Sequence, residues 1–284
     1  MRRAVIAVVL VGCLVQPGFL IAQPSDFSPE KIQVLILTGL GGHAWRETTP
    51  LLREMLENTG RFEVRVMEEF RGTGPETLAP YDVVILNLIR ATRGGDAIYD
   101  IQTPRWWGQR AERAFEEFVR SGKGVVHYHI SLAAFDGWTE FEQMSGGNWR
   151  FRQSYHSPQH DFLLDIVDVE HPITYGLKSP LPVKNDELYA GLVWQPEGLY
   201  RVLATAWDEH ALYTGIWPPP PGDGMDQPLL WTTRYGEGRV FATALGHGPD
   251  NVRDQTFQIT FLRGVEWAAT GEVTLPIPPE MAAN

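Results

Sequence analysis

Apolar residues recur along the chain in two rhythms. Lys31 to Thr38 (KIQVLILT) is a β-branched apolar run ended by Gly39 and predicts a buried first strand. Thr49-Pro50 then supplies an N-cap and a proline at the first helical position, Leu51, Leu52, Met55 and Leu56 form a helical stripe, and Gly60 stops it. Phe62 to Met67 alternates as a strand, and Tyr81 to Asn87 (YDVVILN) is a second continuous apolar run. Thr103-Pro104 opens another predicted helix, with Trp107, Ala111, Ala114, Phe115 and Phe118 on one face and Gly122 at its end. Gly124 to Ile130 (GVVHYHI) is the next strand. The order β-α-β-β-α-β calls for a parallel sheet with helices on both faces.

The second half is less regular. Phe162 to Val167, Tyr200 to Trp207 and Pro228 to Thr233 are strand-like, and Trp217 to Gly224 (WPPPPGDG) can only be a loop. Tyr235 to Gly238 (YGEG) predicts a hairpin turn between Leu229–Thr233 and Arg239–Leu245. Asp254 to Ala269 closes the pattern as a helix with Phe257, Phe261 and Val265 on one face, before a proline-rich tail. No internal repeat is visible, and the expectation is one α/β domain over residues 23–284.

Composition narrows the function classes. Apolar residues make up 43% of the 284, enough for a sizeable core, so disorder is excluded. The net charge of −11 disfavours a nucleic-acid partner, because an acidic surface repels phosphate. The start of the chain reads as a leader over residues 1–22: Arg2-Arg3, an apolar run from Ala4 to Leu14, a second patch to Ala22, then polar Gln23-Pro24-Ser25. The run is too interrupted for a good membrane span. Cleavage after Ala22 removes the two leader arginines, lowering the charge from −11 to −13, and the single cysteine, Cys13. Export without cysteine suits a secreted or periplasmic protein. The rival reading takes Leu10-Val11-Gly12-Cys13 as a lipoprotein box.

In an open parallel sheet, ligands bind beyond the carboxyl ends of the strands. His43 follows the first strand, Asn87 ends the third, His129 ends GVVHYHI, and His247 follows Val240–Leu245. One strand-end histidine is usually structural; three at one edge make a candidate site. The glycines around His43 and His247 permit close backbone approach but match no phosphate-binding loop. His127 lies deeper, on the same predicted strand face as His129, and reads as a core histidine with a hydrogen-bond partner. Tyr155 to His160 (YHSPQH) reads as a loop carrying two histidines. Asp186-Glu187 places two carboxylates side by side, which on a strand face opposite ways, and read alone is a solvated turn.

These pieces taken together resemble the ThuA-like family, named for trehalose utilisation. The matching segments are Gly42–Trp45, Val126–His129, Glu170–Thr174 (EHPIT), Asp186–Tyr189 (DELY), Tyr235–Val240 (YGEGRV), Gly246-His247 and Glu266–Ala268 (EWA), in order across nearly all of the mature chain. The likeness is greatest to a secreted branch with a histidine cluster before His-Pro-Ile-Thr. The loop after His129 is shorter here. The resemblance implies a flavodoxin-like, doubly wound, mostly parallel α/β sheet similar to class I glutamine amidotransferases, and a role in the catabolism of oxidised (keto) glycosides. Amidotransferases carry a nucleophilic cysteine at a turn that falls here near His129-Ile130-Ser131. The mature chain has none, so thiolate glutamine hydrolysis is excluded. Ser131 lacks the flanking elbow glycines and reads as a turn residue.

The leading expectation is an exported enzyme that hydrolyses or eliminates at the glycosidic centre of a 3-keto sugar. His43, His129, Glu187 and His247 are its candidate catalytic groups. The three histidines double as candidate ligands of a divalent ion such as zinc, since a histidine and carboxylate set suits it. Trp45, Asn87, His160, Asp186 and Tyr189 are candidate substrate contacts, with Trp45, Tyr128 and Tyr189 available for stacking on sugar faces. The alternative is a non-catalytic periplasmic domain that binds a carbohydrate or a partner; a weaker third reading is a purely structural domain.

Overall fold

The computed structural model describes residues 30–39, 43–89, 107–150, 153–213 and 224–283. The leader with Cys13, Thr103-Pro104 and nearly all of the WPPPPGDG segment lie outside them. The parallel half is built from β1 (Ile32–Leu37), α1 (Trp45–Asn58), β2 (Phe62–Met67), a single-turn α2 (Pro75–Leu78), β3 (Val83–Leu86), α3 (Gln109–Arg120) and β4 (Gly124–Tyr128). A 3₁₀ turn over His129–Ala133 leads to α4 (Thr139–Ser145) and the short strands β5 (Gly147–Asn148) and β6 (Tyr155–His156). Then come β7 (His160–Ile166), β8 (Leu181–Asp186), β9 (Tyr189–Ala190), β10 (Val193–Trp194), β11 (Tyr200–Trp207), β12 (Asp226–Tyr235) and β13 (Gly238–Thr243). The helices α5 (Pro249–Val252) and α6 (Gln255–Thr270) follow.

Nine strands form one sheet in the order β2-β1-β3-β4-β13-β12-β11-β7-β8. The first five are parallel, and their 2-1-3-4-5 pattern is that of flavodoxin-like folds. The hairpin turn at 235–238 reverses the chain, and the other four strands extend the sheet antiparallel. Strand β8 carries Asp186 on the far edge of this extension, where its alternating buried and exposed residues give only a weak apolar signal.

Strands buried on both faces read as continuous apolar runs, which is why β1, β3 and β4 are legible in the sequence. One face packs Leu52 and Leu56 of α1 and Phe257, Phe261 and Val265 of α6; the other packs Phe115 and Phe118 of α3 and Phe141 and Met144 of α4. Asp254 caps α6 by accepting from the amides of Thr256 and Phe257.

Two helix starts differ from expectation. Helix α1 begins at Trp45, so Thr49-Pro50 lies inside it, and the Thr49 hydroxyl bonds Thr38 and Asn87 instead of capping. Helix α3 begins at Gln109, after Gly108 at φ +93°, so Trp107 precedes the helix and is buried among Phe70, Phe115 and Phe135. Among the described residues, no helix is long and apolar enough to cross a membrane.

Candidate functional site

Strands β1, β4 and β13 are parallel, so the segments that follow them emerge at one edge. His43, His129 and His247 meet there with Glu187, and one ligand atom from each lies within 4.8 Å of the others. The imidazoles meet edge to face, with ring centres 5.0 Å apart for His43–His129, 4.6 Å for His43–His247 and 5.5 Å for His129–His247. Glu187 sits beneath them: Oε2 is 3.5 Å from His129 Nε2, and Oε1 is 3.3 Å from His247 Nε2.

Local backbone geometry aims these groups. Strand β4 stops at Tyr128, and His129 adopts φ +44°, a left-handed conformation uncommon for a non-glycine residue. That twist breaks the strand's alternation. His127 therefore points into the core beside Phe141 while His129 turns to the site, contrary to the expectation that they share a face. Asn185 at φ +45° does the same for Asp186-Glu187, so both carboxylates turn inward, 1% and 7% exposed, and are not a solvated turn. Gly246 has φ +98°, and a Cβ there would come within 2.6 Å of the rings of Tyr128 and Phe257; only glycine lets the chain carry His247 past them.

Asp186 is the brace. Its carboxylate accepts from the amides of Gly246 (2.7 Å), His247 (3.1 Å) and Glu187 (2.9 Å), tying the end of β8 to the loop after β13. Burial pushes its carboxyl above the ordinary value, against the pull of His129 and these amides. Asp186 therefore holds two site residues in register, and its oxygens are engaged by backbone instead of free for a substrate. The same holds for Asn87, whose amide donates to Thr48 and Thr49. Trp45 is 8% exposed on α1 with the Arg46 guanidinium over its ring. Tyr128 is buried and donates to the Gly246 carbonyl. His160 bonds Ser157 and Pro158 and packs on Phe162, outside the cluster. Tyr189 is also buried, and its hydroxyl donates to His129 Nε2 at 3.0 Å, so its contribution is polar.

The protonation pattern follows from partners. His129 Nδ1 faces the Ala244 carbonyl at 2.7 Å, which can only accept, so the proton is on Nδ1 and the Nε2 lone pair points into the site. Burial, with the repulsion of His129 and His247, lowers His43 to about 3, leaving it neutral at neutral pH. Its Nδ1 is buried with no hydrogen-bond partner among the described residues. Burial also lowers His247, partly offset by the Glu187 charge. Burial disfavours the Glu187 anion, but the neighbouring histidines outweigh that and hold its carboxyl below the ordinary value.

A carboxylate beside three imidazoles is the donor set of a divalent cation. Four ligands about 2.0–2.1 Å from zinc in a tetrahedron lie about 3.3 Å from one another. Here His129 and His247 approach different Glu187 oxygens, at 3.5 and 3.3 Å, and the four ligand atoms span up to 4.8 Å, so the side chains would draw together slightly about an ion. The orphaned nitrogen of His43 and the second-shell bond on His129 agree with the same use, so the residues fit such an ion.

Three neighbours carry no site assignment from the sequence. His156 Nδ1 donates to the Ser157 carbonyl at 2.9 Å and lies 3.5 Å from Glu187, its side chain 46% exposed. Gln159 donates its amide to His247 Nδ1. Trp149 lies against Tyr189 and His156. The short strands β6 and β9 pair His156 with Tyr189. Two-residue strands leave no periodic signal, and only the local density of histidines in YHSPQH pointed here.

Fold and site together define a flavodoxin-like α/β protein with three histidines and a glutamate at the carboxyl edge of its sheet. The chain belongs to the ThuA family, described as trehalose utilisation, whose model matches residues 33–268. It is similar to a ThuA-like protein from Parabacteroides merdae, with 28% identity over 89% of this chain and 95% of that one and a TM-score of 0.74. A ThuA-like protein from Bacteroides uniformis has 20% identity over 88% and 98% of the two chains, with a TM-score of 0.61. A protein from Salmonella typhimurium described as cytoplasmic shares the fold at 15% identity over 84% and 100%, with a TM-score of 0.54. Among curated proteins, no sequence matches the chain.

Proposed function

We propose that this chain is a carbohydrate-processing enzyme whose active centre is a divalent metal, such as zinc, held by His43, His129, His247 and Glu187. The observation that carries the reading is the convergence of these four ligand atoms within 4.8 Å, three of them from imidazoles. The family supports a sugar substrate. A bound ion at such a site supplies Lewis-acid polarisation of a carbonyl or hydroxyl oxygen.

An oxidised 3-keto glycoside is the substrate class that uses such a centre best. Its C3 carbonyl acidifies the C2–H bond. Removal of that proton forms the C1–C2 double bond as the C1–oxygen bond breaks and the aglycone leaves with a proton; water then adds back at C1. We assign removal of that proton to His156, whose ring lies beside Glu187. Its Nδ1–H is committed to Ser157, which leaves the Nε2 lone pair free on a half-exposed ring. The Tyr189 hydroxyl, 3.0 Å from His129 Nε2, would orient that nitrogen for an ion and donate to a substrate oxygen bound beside it. Export through the residue 1–22 leader is part of the same proposal, with lipid attachment at Cys13 its alternative.

The test is turnover of a 3-keto glycoside such as 3-keto-trehalose by untagged protein. Product release that is lost in His129→Ala and Glu187→Gln supports the enzyme. Saturable binding with no turnover in metal-loaded protein favours the binding module.

A further inference from the structure

One wall of the site is apolar. Ile89, just beyond β3, and Ile130 and Ala133, in the turn beyond β4, form a small cluster of their own, separate from the two cores flanking the sheet. These three are 5%, 7% and 2% exposed, while Trp149, which packs on them, is only partly buried. Its backbone is anchored by an amide bond to the Leu132 carbonyl. The next residue, Arg150, is clamped by Asp136 and Glu142, fixing the segment from the other side. The Trp149 ring meets Tyr189 edge to face at 4.7 Å and lies tilted by 35° to His156 at 5.9 Å. Tyr189 reaches His129, and His156 reaches Glu187, so one aromatic residue stands between the polar cluster and the apolar wall.

We propose that Trp149 is the stacking platform of this site and that the ligand it takes is a pyranose ring, whose C–H face lies on the indole while its oxygens turn toward the histidines and Glu187. This rests on the carbohydrate reading above and assigns it a place. A flat, partly exposed indole beside a polar, metal-ligating cluster matches a ring with one apolar face and a polar rim. It does not match an acyclic polyol, which has no such face, or a phosphorylated sugar, since among the described residues the groups around the cluster include a carboxylate and no paired arginine or lysine. The sequence assigned stacking to Trp45, Tyr128 and Tyr189, but the burial of all three leaves that work to Trp149.

Two measurements test the platform. Hydroxyl-radical footprinting of the wild-type protein, read by mass spectrometry with methyl 3-keto-α-D-glucopyranoside as probe, should show Trp149 protected. Trp207, which is 51% exposed elsewhere, serves as the unprotected control. In steady-state kinetics on the same probe, Trp149→Ala should raise KM about tenfold with kcat nearly unchanged, and Trp149→Phe should stay within about threefold of wild type. The footprint is read on unaltered protein, so a Trp149→Ala variant that misfolds does not remove the test. Turnover by wild type with an unprotected Trp149, or an unchanged KM in Trp149→Ala, overturns the platform and leaves the proposed function standing. A wild-type protein that neither turns the probe over nor protects Trp149 overturns both.

Discussion

Gln159 should control the zinc affinity of the cluster through the tautomer of His247. Its amide N–H donates to His247 Nδ1, which puts the ring proton on Nε2, facing Glu187 Oε1 at 3.3 Å. A ring in that state hydrogen-bonds the carboxylate and cannot ligate through Nε2. Ligation requires the proton to move to Nδ1 and the amide to turn over so that its oxygen accepts. Gln159→Glu removes the choice, because a carboxylate can only accept and so favours Nδ1–H with a free Nε2 lone pair. Partners of this kind change metal affinity by about tenfold to a hundredfold, or about 1.4–2.8 kcal/mol. Gln159 is exposed, so the variant should fold normally. Competition with a chelating dye should show zinc bound at least about tenfold more tightly by Gln159→Glu, with Gln159→Leu at or below wild type. Nitrogen-15 spectra of apo protein should show the His247 tautomer reversed in the Glu variant. Equal affinity in wild type and Gln159→Glu, with the tautomer reversed, would refute the reasoning.

Further outcomes follow from the same geometry. His129→Ala and Glu187→Gln should each stay folded and lose bound metal together with most turnover, by at least about a hundredfold; metal analysis and single-turnover assays check this. Gly246→Ala should lower thermal stability and zinc affinity together, because the methyl group meets Tyr128 and Phe257 within 2.6 Å. His127 is fully buried with neither ring nitrogen partnered among the described residues, and burial lowers it from 6.5 to about 3. Such a histidine stays neutral in the folded state while the unfolded chain takes up a proton below pH 6.5, so stability is lost as pH falls from that value toward 3. By about pH 4.5 the loss is about 2–3 kcal/mol, and His127→Leu should remove that share of the acid sensitivity and gain about 1–2 kcal/mol near pH 7.5, read by urea unfolding at the two pH values.

Much of the parallel half is legible because its strands are buried on both sides and its helices carry clean apolar stripes. Placing His43, His129 and His247 at one edge needed only those strand ends and the rule that parallel strands share a carboxyl edge. Glu187 could be named from the Asp-Glu-Leu-Tyr resemblance, yet its geometry could not. Positive φ at Asn185 and His129 overrides the two-residue alternation from which side-chain direction is read, and both residues look ordinary in the sequence. His127 was expected to have a partner and has none among the described residues, because pairing between distant segments leaves no local pattern to read. The roles of Asp186 and Tyr189 were hidden for the same reason: one braces a loop 60 residues away and the other orients a histidine 60 residues away.

The central claim is that the three histidines and Glu187 hold a metal ion where the chemistry occurs. Elemental analysis of untagged protein, dialysed and then offered zinc, tests it most directly. The expected result is about one divalent ion per chain, absent from His129→Ala and Glu187→Gln. Wild-type protein that turns over a keto glycoside while neither retaining nor taking up a metal ion would contradict it.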